Sequence, residues 1–248
     1  MKKIVSAFFF TSLFAFTIQS QETIIEEGSG RRSTYYLDYK IDEEKTFPDI
    51  QRMAKTLVEL RIYSSEFTEL PNYLTHFKKL KRFYISYTPL TELSHVPNVK
   101  KLDVVKITNP SFFVSVLEAK NVEELKLRNV LIQDVPSKFG GLKVLKEVML
   151  ESCNTTKKDI GRLFKNWTAL EKLVLVDINI SELPKTIKNL KNLQYLEIQF
   201  SDIDALPKEV GKLQNLTYVN LYYSKIKGIP ECIYKLENLE RLVLNEAV

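Results

Sequence analysis

Glycine and cysteine are scarce in this chain of 248 residues. Its seven glycines are too few for a sandwich built on tight turns or for a flexible low-complexity protein. Two cysteines allow at most one disulfide. Hydrophobic residues make up 44% and charged residues 27% of the chain, an ordinary balance for a folded protein. Composition therefore predicts a folded chain and leaves its function open.

Residues that carry catalysis or bind metals are also few. The chain has two histidines, His76 and His95, and neither has a metal-ligand partner at a suitable spacing. No G-x-S-x-G turn, phosphate-binding glycine loop, H-E-x-x-H helix or Cys–His pairing occurs. Acidic residues are numerous, but nothing singles out a catalytic pair. We therefore predict no catalysis, no metal and no cofactor.

The N-terminal segment is typical of a secretory signal peptide. Lys2 and Lys3 precede an apolar run over residues 4–18, and the small residue Ser20 follows. A membrane anchor is the alternative, but a spanning helix needs about 20 apolar residues. We predict that residues 1–20 are removed and the chain is exported to a periplasm, a cell surface or the medium. A lysine- and phenylalanine-rich signal favours a bacterial source.

Cleavage would leave the chain close to electrical neutrality. The net charge is +5, and without residues 1–20 the chain keeps 34 basic against 31 acidic residues. Nucleic-acid binding would need a basic stripe on one face. Lys106, Lys126 and Arg128 lie near one another, but Asp103 and Glu124 interrupt them. Nucleic acid is therefore disfavoured as a partner.

A 23-residue repeat is the main signal of the sequence. Three consecutive units begin at Leu170, Leu193 and Leu216, each with the pattern L-x-x-L-x-L followed by L-P or I-P. Earlier units begin at Leu57, Leu80, Val99, Val122 and Leu145, and a partial ninth begins at Leu239. The first, fourth and sixth positions are Leu, Ile, Val or Phe in all 27 cases. Such regularity predicts stacked units that share one core.

Strand geometry assigns a face to each position of the repeat. Side chains alternate along a strand, so the fourth and sixth positions point inward, and the exposed positions are the third, fifth, seventh and eighth. Proline has no N–H for a ladder, so the prolines at the fifteenth position lie where the chain turns to the convex side. Apolar anchors three residues apart suit a 3₁₀ or short helical turn there. These anchors are Leu74 and Phe77, Phe139 and Leu142, Ile187 and Leu190, Val210 and Leu213, and Ile233 and Leu236.

The repeats resemble leucine-rich repeats, in the L-P form seen in plant disease-resistance and Ras-scaffold proteins. The resemblance covers residues 57–248 and implies an α/β solenoid with a parallel sheet on the concave face and 3₁₀ or short helical turns on the convex face. It also implies binding, mostly of proteins. The family's ninth-position Asn is absent, so we expect a less regular arc in the middle units, where Ile107, Val130 and Ile178 replace it. The units at Val99 and Leu145 are the least orthodox, with Asn109-Pro110 and Lys158 in unusual places.

The remaining segments flank this array of eight full units and a partial ninth. We interpret residues 21–35 as a flexible leader and residues 36–56 as a cysteine-free N-terminal cap. Four N-x-S/T triplets, at Asn154, Asn166, Asn179 and Asn215, would accept glycans only in a eukaryotic secretory pathway. The frame separates Cys153 and Cys232 by roughly 14 Å, beyond disulfide reach, so both are predicted to be free.

Outward positions of the repeat are candidates for binding. Five aromatic residues occupy them in two consecutive units, where composition predicts about one in eight positions. Aromatic side chains are enriched in interface hot spots, although neighbouring tyrosines also pack on one another across strands. The predicted concave-face binding residues are Tyr63, Tyr84, Arg128, Tyr195, Phe200, Tyr218, Tyr222 and Tyr223.

Two functions follow from these patterns. The leading one is an exported module that recognises a protein or peptide, or alternatively a glycan, on its concave face without catalysis. The alternative is a structural or adhesive envelope protein that assembles, as copies of itself, through an uncapped C-terminal edge strand. An enzyme with an unrecognised site is the least favoured.

Overall fold

A computed structural model describes residues 33–38, 47, 49–63, 66–96 and 98–244. The predicted signal peptide lies outside the described residues, and so does most of the predicted leader. Within the described residues, ten strands form a single parallel sheet in chain order, and two short strands form a second one. The strand order contains no crossover, which is the topology of a solenoid built from repeated units.

Each repeat contributes one strand to the large sheet. The strands are β1 (Ser33–Asp38), β2 (Leu57–Tyr63), β3 (Arg82–Ser86), β4 (Lys101–Val105), β5 (Glu124–Arg128), β7 (Glu147–Glu151), β9 (Lys172–Val176), β10 (Tyr195–Gln199), β11 (Tyr218–Asn220) and β12 (Arg241–Val243). Strands β6 (Leu131–Ile132) and β8 (Asn154–Thr155) form the smaller sheet.

The register confirms the repeat frame unit by unit. Strands β3 to β12 of the large sheet all begin at the third residue of a unit, and each third residue pairs with the third residue of its neighbour. A one-residue slip would place the apolar set on the solvent face, so this shared register buries one leucine column after another. The predicted solenoid with a parallel concave sheet is therefore confirmed.

Strand β1 lies ahead of the first repeat and pairs in parallel with β2. It begins at Ser33, so residues 33–35 belong to a strand and not to the flexible leader that the sequence predicted to extend to residue 35. A 3₁₀ turn follows at Gln51–Met53, next to the buried Ile50. The ring of Phe47 packs edge-on against Phe67, with centroids 5.0 Å apart. These contacts cover the apolar end of the first unit.

The convex side carries 3₁₀ turns in the units with a Pro at the fifteenth position, except the unit at Val122. Each of the four turns begins directly after its proline, whose fixed φ already suits the start of a 3₁₀ turn. They are Asn72–His76, Lys185–Asn189, Lys208–Lys212 and Glu231–Lys235. Their anchors, such as Ile187 and Leu213, are buried. The predicted 3₁₀ turns are therefore confirmed.

The two least orthodox units carry α-helices in place of 3₁₀ turns. Helix α1 (Pro110–Val116) is capped by the Asn109 side chain, which accepts a hydrogen bond from the Ser111 N–H at 3.0 Å. Helix α2 (Lys157–Asn166) is capped by the hydroxyl of Thr156, which accepts from the Asp159 N–H. Side-chain oxygens at the N-cap satisfy donors that a helix start leaves free. The unusual Asn109-Pro110 pair is thus a helix start.

The middle units replace the missing ninth-position Asn by other hydrogen bonds. Strands β6 and β8, which follow β5 and β7 along the chain, pair with each other. One residue beyond the usual place, the Asn179 side-chain amide accepts from the Thr155 N–H at 3.0 Å and donates to the side-chain oxygen of Asn154 at 2.9 Å. The thiol of Cys153, at the ninth position, donates to the Leu127 carbonyl. Two of these bonds satisfy backbone groups, the Thr155 N–H and the Leu127 carbonyl, in the middle units, where Ile or Val at a ninth position has no hydrogen-bonding side chain.

A continuous apolar core runs through the array between the sheet and the convex turns. The inward positions are fully buried in the first eight units, and Leu239, Leu242 and Leu244 of the last one are half-buried. Both cysteines are buried and unpaired, as the frame predicts. Burial raises the pKa of the Cys153 thiol to about 11, so it remains protonated at neutral pH.

Candidate functional site

The concave face presents the third, fifth and seventh residues of each repeat unit, and the eighth residue follows at the rim. Along β10 the burial alternates, with Leu196 and Ile198 in the core and Tyr195 and Glu197 half-exposed on the face. Strands β4 and β5 show the same alternation. Residues at equivalent positions therefore form columns that run across the sheet.

The five aromatic residues predicted in the C-terminal units form two stacked groups, one at the third position of the repeat and one at the seventh and eighth positions. The rings of Tyr195 and Tyr218 are parallel within 5°, with centroids 4.3 Å apart. Phe200 and Tyr223 stack with centroids 4.6 Å apart, and Tyr222 contacts Tyr223 at 4.1 Å. We call these five residues the aromatic surface. Stacked rings at such distances hold one another rigidly.

Cations extend the first of these stacked groups at both ends. The Lys172 ammonium lies 5.0 Å from the centre of the Tyr195 ring, and the Arg241 guanidinium lies 5.6 Å from that of Tyr218. The Tyr195 hydroxyl donates a hydrogen bond to the Glu197 carboxylate. Burial and this bond raise the pKa of Tyr195, so its hydroxyl stays protonated at neutral pH. The sequence reasoning did not assign Lys172 and Arg241 to the site.

The rim of the concave face has left-handed backbone at the eighth position of each described unit. The residues are Tyr87, Lys106, Asn129, Ser152, Asp177, Phe200 and Tyr223, with φ between 49° and 59°. This conformation disfavours residues other than Gly, Asn and Asp. The presence of Asn129 and Asp177 there is the signal from which sequence reasoning could have recognised it. Phe200 and Tyr223 are each 54% exposed, although bulky side chains are costly at this φ.

Replacing Phe200 and Tyr223 together by Asn should leave the free energy of unfolding unchanged or raise it by up to about 1 kcal/mol. Asn tolerates left-handed backbone, where other L-residues cost about 1–2 kcal/mol each, and the lost ring stack is worth only about 0.5–1.5 kcal/mol. Urea unfolding followed by circular dichroism measures the change. A loss well above 1 kcal/mol would show that the stack serves the fold, as ordinary cross-strand packing would.

A second, smaller aromatic group lies near the N-terminal end of the same face. Tyr63 and Tyr84 contact each other with ring centroids 4.9 Å apart, and the Lys106 ammonium lies 4.9 Å from the Tyr87 ring. Five strand spacings separate Tyr84 on β3 from Tyr195 on β10, which corresponds to about 24 Å. The structure therefore divides the predicted aromatic residues into two groups on one face.

Ion pairs occupy the face between these two groups. Arg128 donates to the Asp103 carboxylate at 2.8 Å and to the Glu151 carboxylate at 3.1 Å, which joins three strands. Burial raises the pKa of Asp103, and the charge of Arg128 offsets this only in part. Beside the N-terminal aromatic group, on strands β2 and β3, the buried Glu59 carboxylate pairs with Arg61 and Arg82. The predicted binding residue Arg128 thus lies on the concave face with its charge already matched by two carboxylates.

The described part of the chain holds neither a metal-binding cluster nor a membrane-spanning helix. No group of three or more His, Cys, Asp or Glu side chains there is placed to hold a metal ion. No helix within the same residues is long and apolar enough to cross a bilayer.

Comparisons with known proteins agree with the repeat frame. The family model described as a leucine-rich repeat region matches residues 129–247. The structure is similar to that of a leucine-rich-repeat protein from Leptospira interrogans, with a TM-score of 0.55 and 26% identity. That match covers 81% of this chain, which spans 58% of the Leptospira chain. No curated protein sequence matches the chain.

A more distant likeness is to the leucine-rich-repeat ectodomain of a plant membrane receptor kinase from Arabidopsis thaliana, solved in complex with Casparian strip integrity factor 2. It has a TM-score of 0.39 and 18% identity, and covers 74% of this chain and 26% of the receptor chain. Domains of this fold commonly act as protein-binding modules. The repeat pattern, the position-by-position register and the family model together identify the chain as a leucine-rich-repeat protein.

Proposed function

We propose that the chain is an exported binding module whose aromatic surface recognises a protein or peptide without catalysis. The observation that carries this proposal is the placement of Phe200 and Tyr223. Both rings are half-exposed on left-handed backbone that costs stability. Side chains that are unfavourable for the free chain and exposed to solvent are expected where a ligand makes use of them.

The chemistry of the aromatic surface favours an uncharged or weakly charged segment of the partner. Lys172 and Arg241 lie over tyrosine rings, and Glu197 accepts from the Tyr195 hydroxyl, so the charged groups nearby are already engaged. Rigid tyrosine and phenylalanine rings give a large contact area at a low entropic cost. We therefore expect apolar or aromatic partner side chains here, and a glycan that stacks its sugar rings is the other ligand class.

Export is supported by the sequence of residues 1–20, with its two lysines, apolar run and small residue at the end. An exported chain meets partners outside the cytoplasm, so extracellular or envelope proteins are the first to be tested. N-terminal sequencing of the protein purified from its natural source would show directly whether residues 1–20 are removed.

The double substitution Tyr222→Ala and Tyr223→Ala should weaken partner binding by about 2 kcal/mol or more, roughly 30-fold, as expected for hot-spot residues. The mature chain serves as bait for affinity capture, and the affinity of a captured protein is then measured for each variant. Tyr234→Ala is the matched control, because Tyr234 is 76% exposed on the convex side.

Capture that the double variant loses and the control retains would support the proposal. Equal affinity of all three proteins would remove the aromatic surface as the site. The alternative, assembly through β12, predicts a light-scattering mass that rises with concentration in the absence of any partner. In the described residues β12 pairs on one side only, with β11, which is the observation that favours this alternative.

A further inference from the structure

We propose that the convex side of the sixth to eighth units is a docking surface for the anionic headgroups of a phospholipid bilayer. Six lysines form this surface, which we call the convex lysine face. Five lie on three neighbouring 3₁₀ turns, and the sixth, Lys191, lies two residues after the first turn. The six are Lys185, Lys188, Lys191, Lys208, Lys212 and Lys235, and all of them are exposed. The face lies opposite the aromatic surface and does not depend on its proposed function.

The stacking of the repeats brings these lysines together. Lys188, Lys191 and Lys212 line one shallow depression of about 480 Å³, with the side-chain amides of Asn189, Gln214 and Asn215 between them. The Lys235 stem crosses the neighbouring turn at Gly211, where a β-carbon would lie 3.2 Å from it. Lys235 therefore lies beside Lys212, and the surface continues from the sixth unit to the eighth.

The lysines of the convex lysine face lie close to one another without being matched by carboxylates. Some lysines of other units do pair with a carboxylate of the next repeat, as in Lys100–Glu123 and Lys146–Glu171. None of the six lysines of this face makes an ion pair with a carboxylate of the described residues. The same three turns, each with the two residues that follow it, hold three acidic residues: the buried Glu209 and the exposed Glu231 and Glu237. A concentrated positive charge with little compensation is left for an external anion.

The composition of the face favours a bilayer over other polyanions. Lysine carries a compact charge on a flexible stem, which suits a diffuse array of headgroups, whereas arginine predominates where phosphate is gripped bidentately. Clusters of four to eight basic residues are typical of binding to anionic lipids. Tyr234 projects beside Lys235 and is 76% exposed, and tyrosine rings favour the headgroup level of membranes. Single-stranded nucleic acid would need several rings interleaved with the lysines.

The test is co-sedimentation of the full chain with vesicles made of equal parts of phosphatidylglycerol and phosphatidylcholine. The wild-type chain should bind these vesicles, bind pure phosphatidylcholine far less, and dissociate as salt is added. The triple variant Lys188→Gln, Lys191→Gln and Lys212→Gln should bind about 100-fold more weakly, since each lysine near an anionic surface contributes roughly fivefold. These positions are exposed, so the variant should fold normally, which circular dichroism checks.

The matched control is Lys78→Gln, Lys79→Gln and Lys138→Gln, which removes the same charge from exposed lysines of the N-terminal units. It should retain most of the vesicle binding, and so should the Tyr222→Ala and Tyr223→Ala chain, which separates this proposal from the concave-face one. Equal losses for the two triple variants, or no binding by the wild-type chain, would overturn the proposal. So would tight binding of single-stranded DNA or heparin without vesicle binding, because the face would then serve a polymeric anion.

Discussion

Alanine at Gly141 is expected to lower the free energy of unfolding by about 3 kcal/mol, the upper part of the range for overpacked cores. Gly141 lies where the fourth unit passes against the end of the third, and its N–H donates to the Leu117 carbonyl at 3.0 Å. An added β-carbon would lie 2.4 Å from the carbonyl carbon of Glu118 and 2.5 Å from the Leu117 oxygen. Both are backbone atoms, so relief requires the two units to move apart.

The neighbouring glycine supplies the control. A β-carbon at Gly140 would meet only the end of the Glu118 side chain, at 2.9 Å from Oε2, and that carboxylate can rotate away. Gly140→Ala should therefore change stability by less than about 1 kcal/mol, with some gain from a less flexible unfolded chain. Urea unfolding of the two variants measures the difference. Similar stabilities for both would mean that the two units do not pack as closely as described.

Truncation of Trp167 to alanine should cost about 3–5 kcal/mol, as expected for a large buried ring. Trp167 follows α2, is fully buried and packs against Phe164 with ring centroids 6.4 Å apart. It stands three residues before Leu170, at the place that Leu142, Leu190 and Leu213 occupy in other units. The large ring fills the space behind a ten-residue helix, whereas four other units have a short 3₁₀ turn at this place.

Trp167→Leu is the matched substitution, because leucine is the residue used at this place elsewhere. This substitution should lower the free energy of unfolding by less, about 1–3 kcal/mol, because leucine still contacts most of the side chains that pack against Trp167. The indole nitrogen is buried without a hydrogen-bond partner in the described residues, so no such bond is lost. Because the substitution removes the single tryptophan of the chain, unfolding is followed by circular dichroism and not by tryptophan fluorescence. Equal costs for Ala and Leu would show that this site collapses instead of leaving a cavity.

The sequence predicts the sheet well because its pattern is both local and repeated. Nine units carry the same three apolar positions, so the register of β9, β10 and β11 follows once the frame is counted. The same frame predicts which side chains face the concave side, and it brings Tyr195 beside Tyr218. It also predicts that Cys153 and Cys232 are too far apart to form a disulfide.

Other features depend on contacts that the frame does not specify. Helices α1 and α2 arise because Asn109 and Thr156 cap their first turns, a side-chain effect that overrides the usual convex turn. The hydrogen bonds of Asn154 and Asn179 replace those of the usual ninth position. The ion pairs of Arg128 with Asp103 and Glu151 depend on side-chain rotamers, which the repeat frame does not give. The left-handed rim is visible in sequence only as an occasional Asn or Asp.

The aromatic surface and the convex lysine face belong to the same units, on opposite sides of a single core. A partner on one side and a lipid surface on the other would therefore not compete for space, and both could be held at once. Their separation is fixed by the thickness of the repeat, so a bilayer-bound chain would display its aromatic surface at a constant height and away from the lipid. A partner anchored in that same bilayer would be met at a raised effective concentration, and avidity would then exceed the affinity of either face alone.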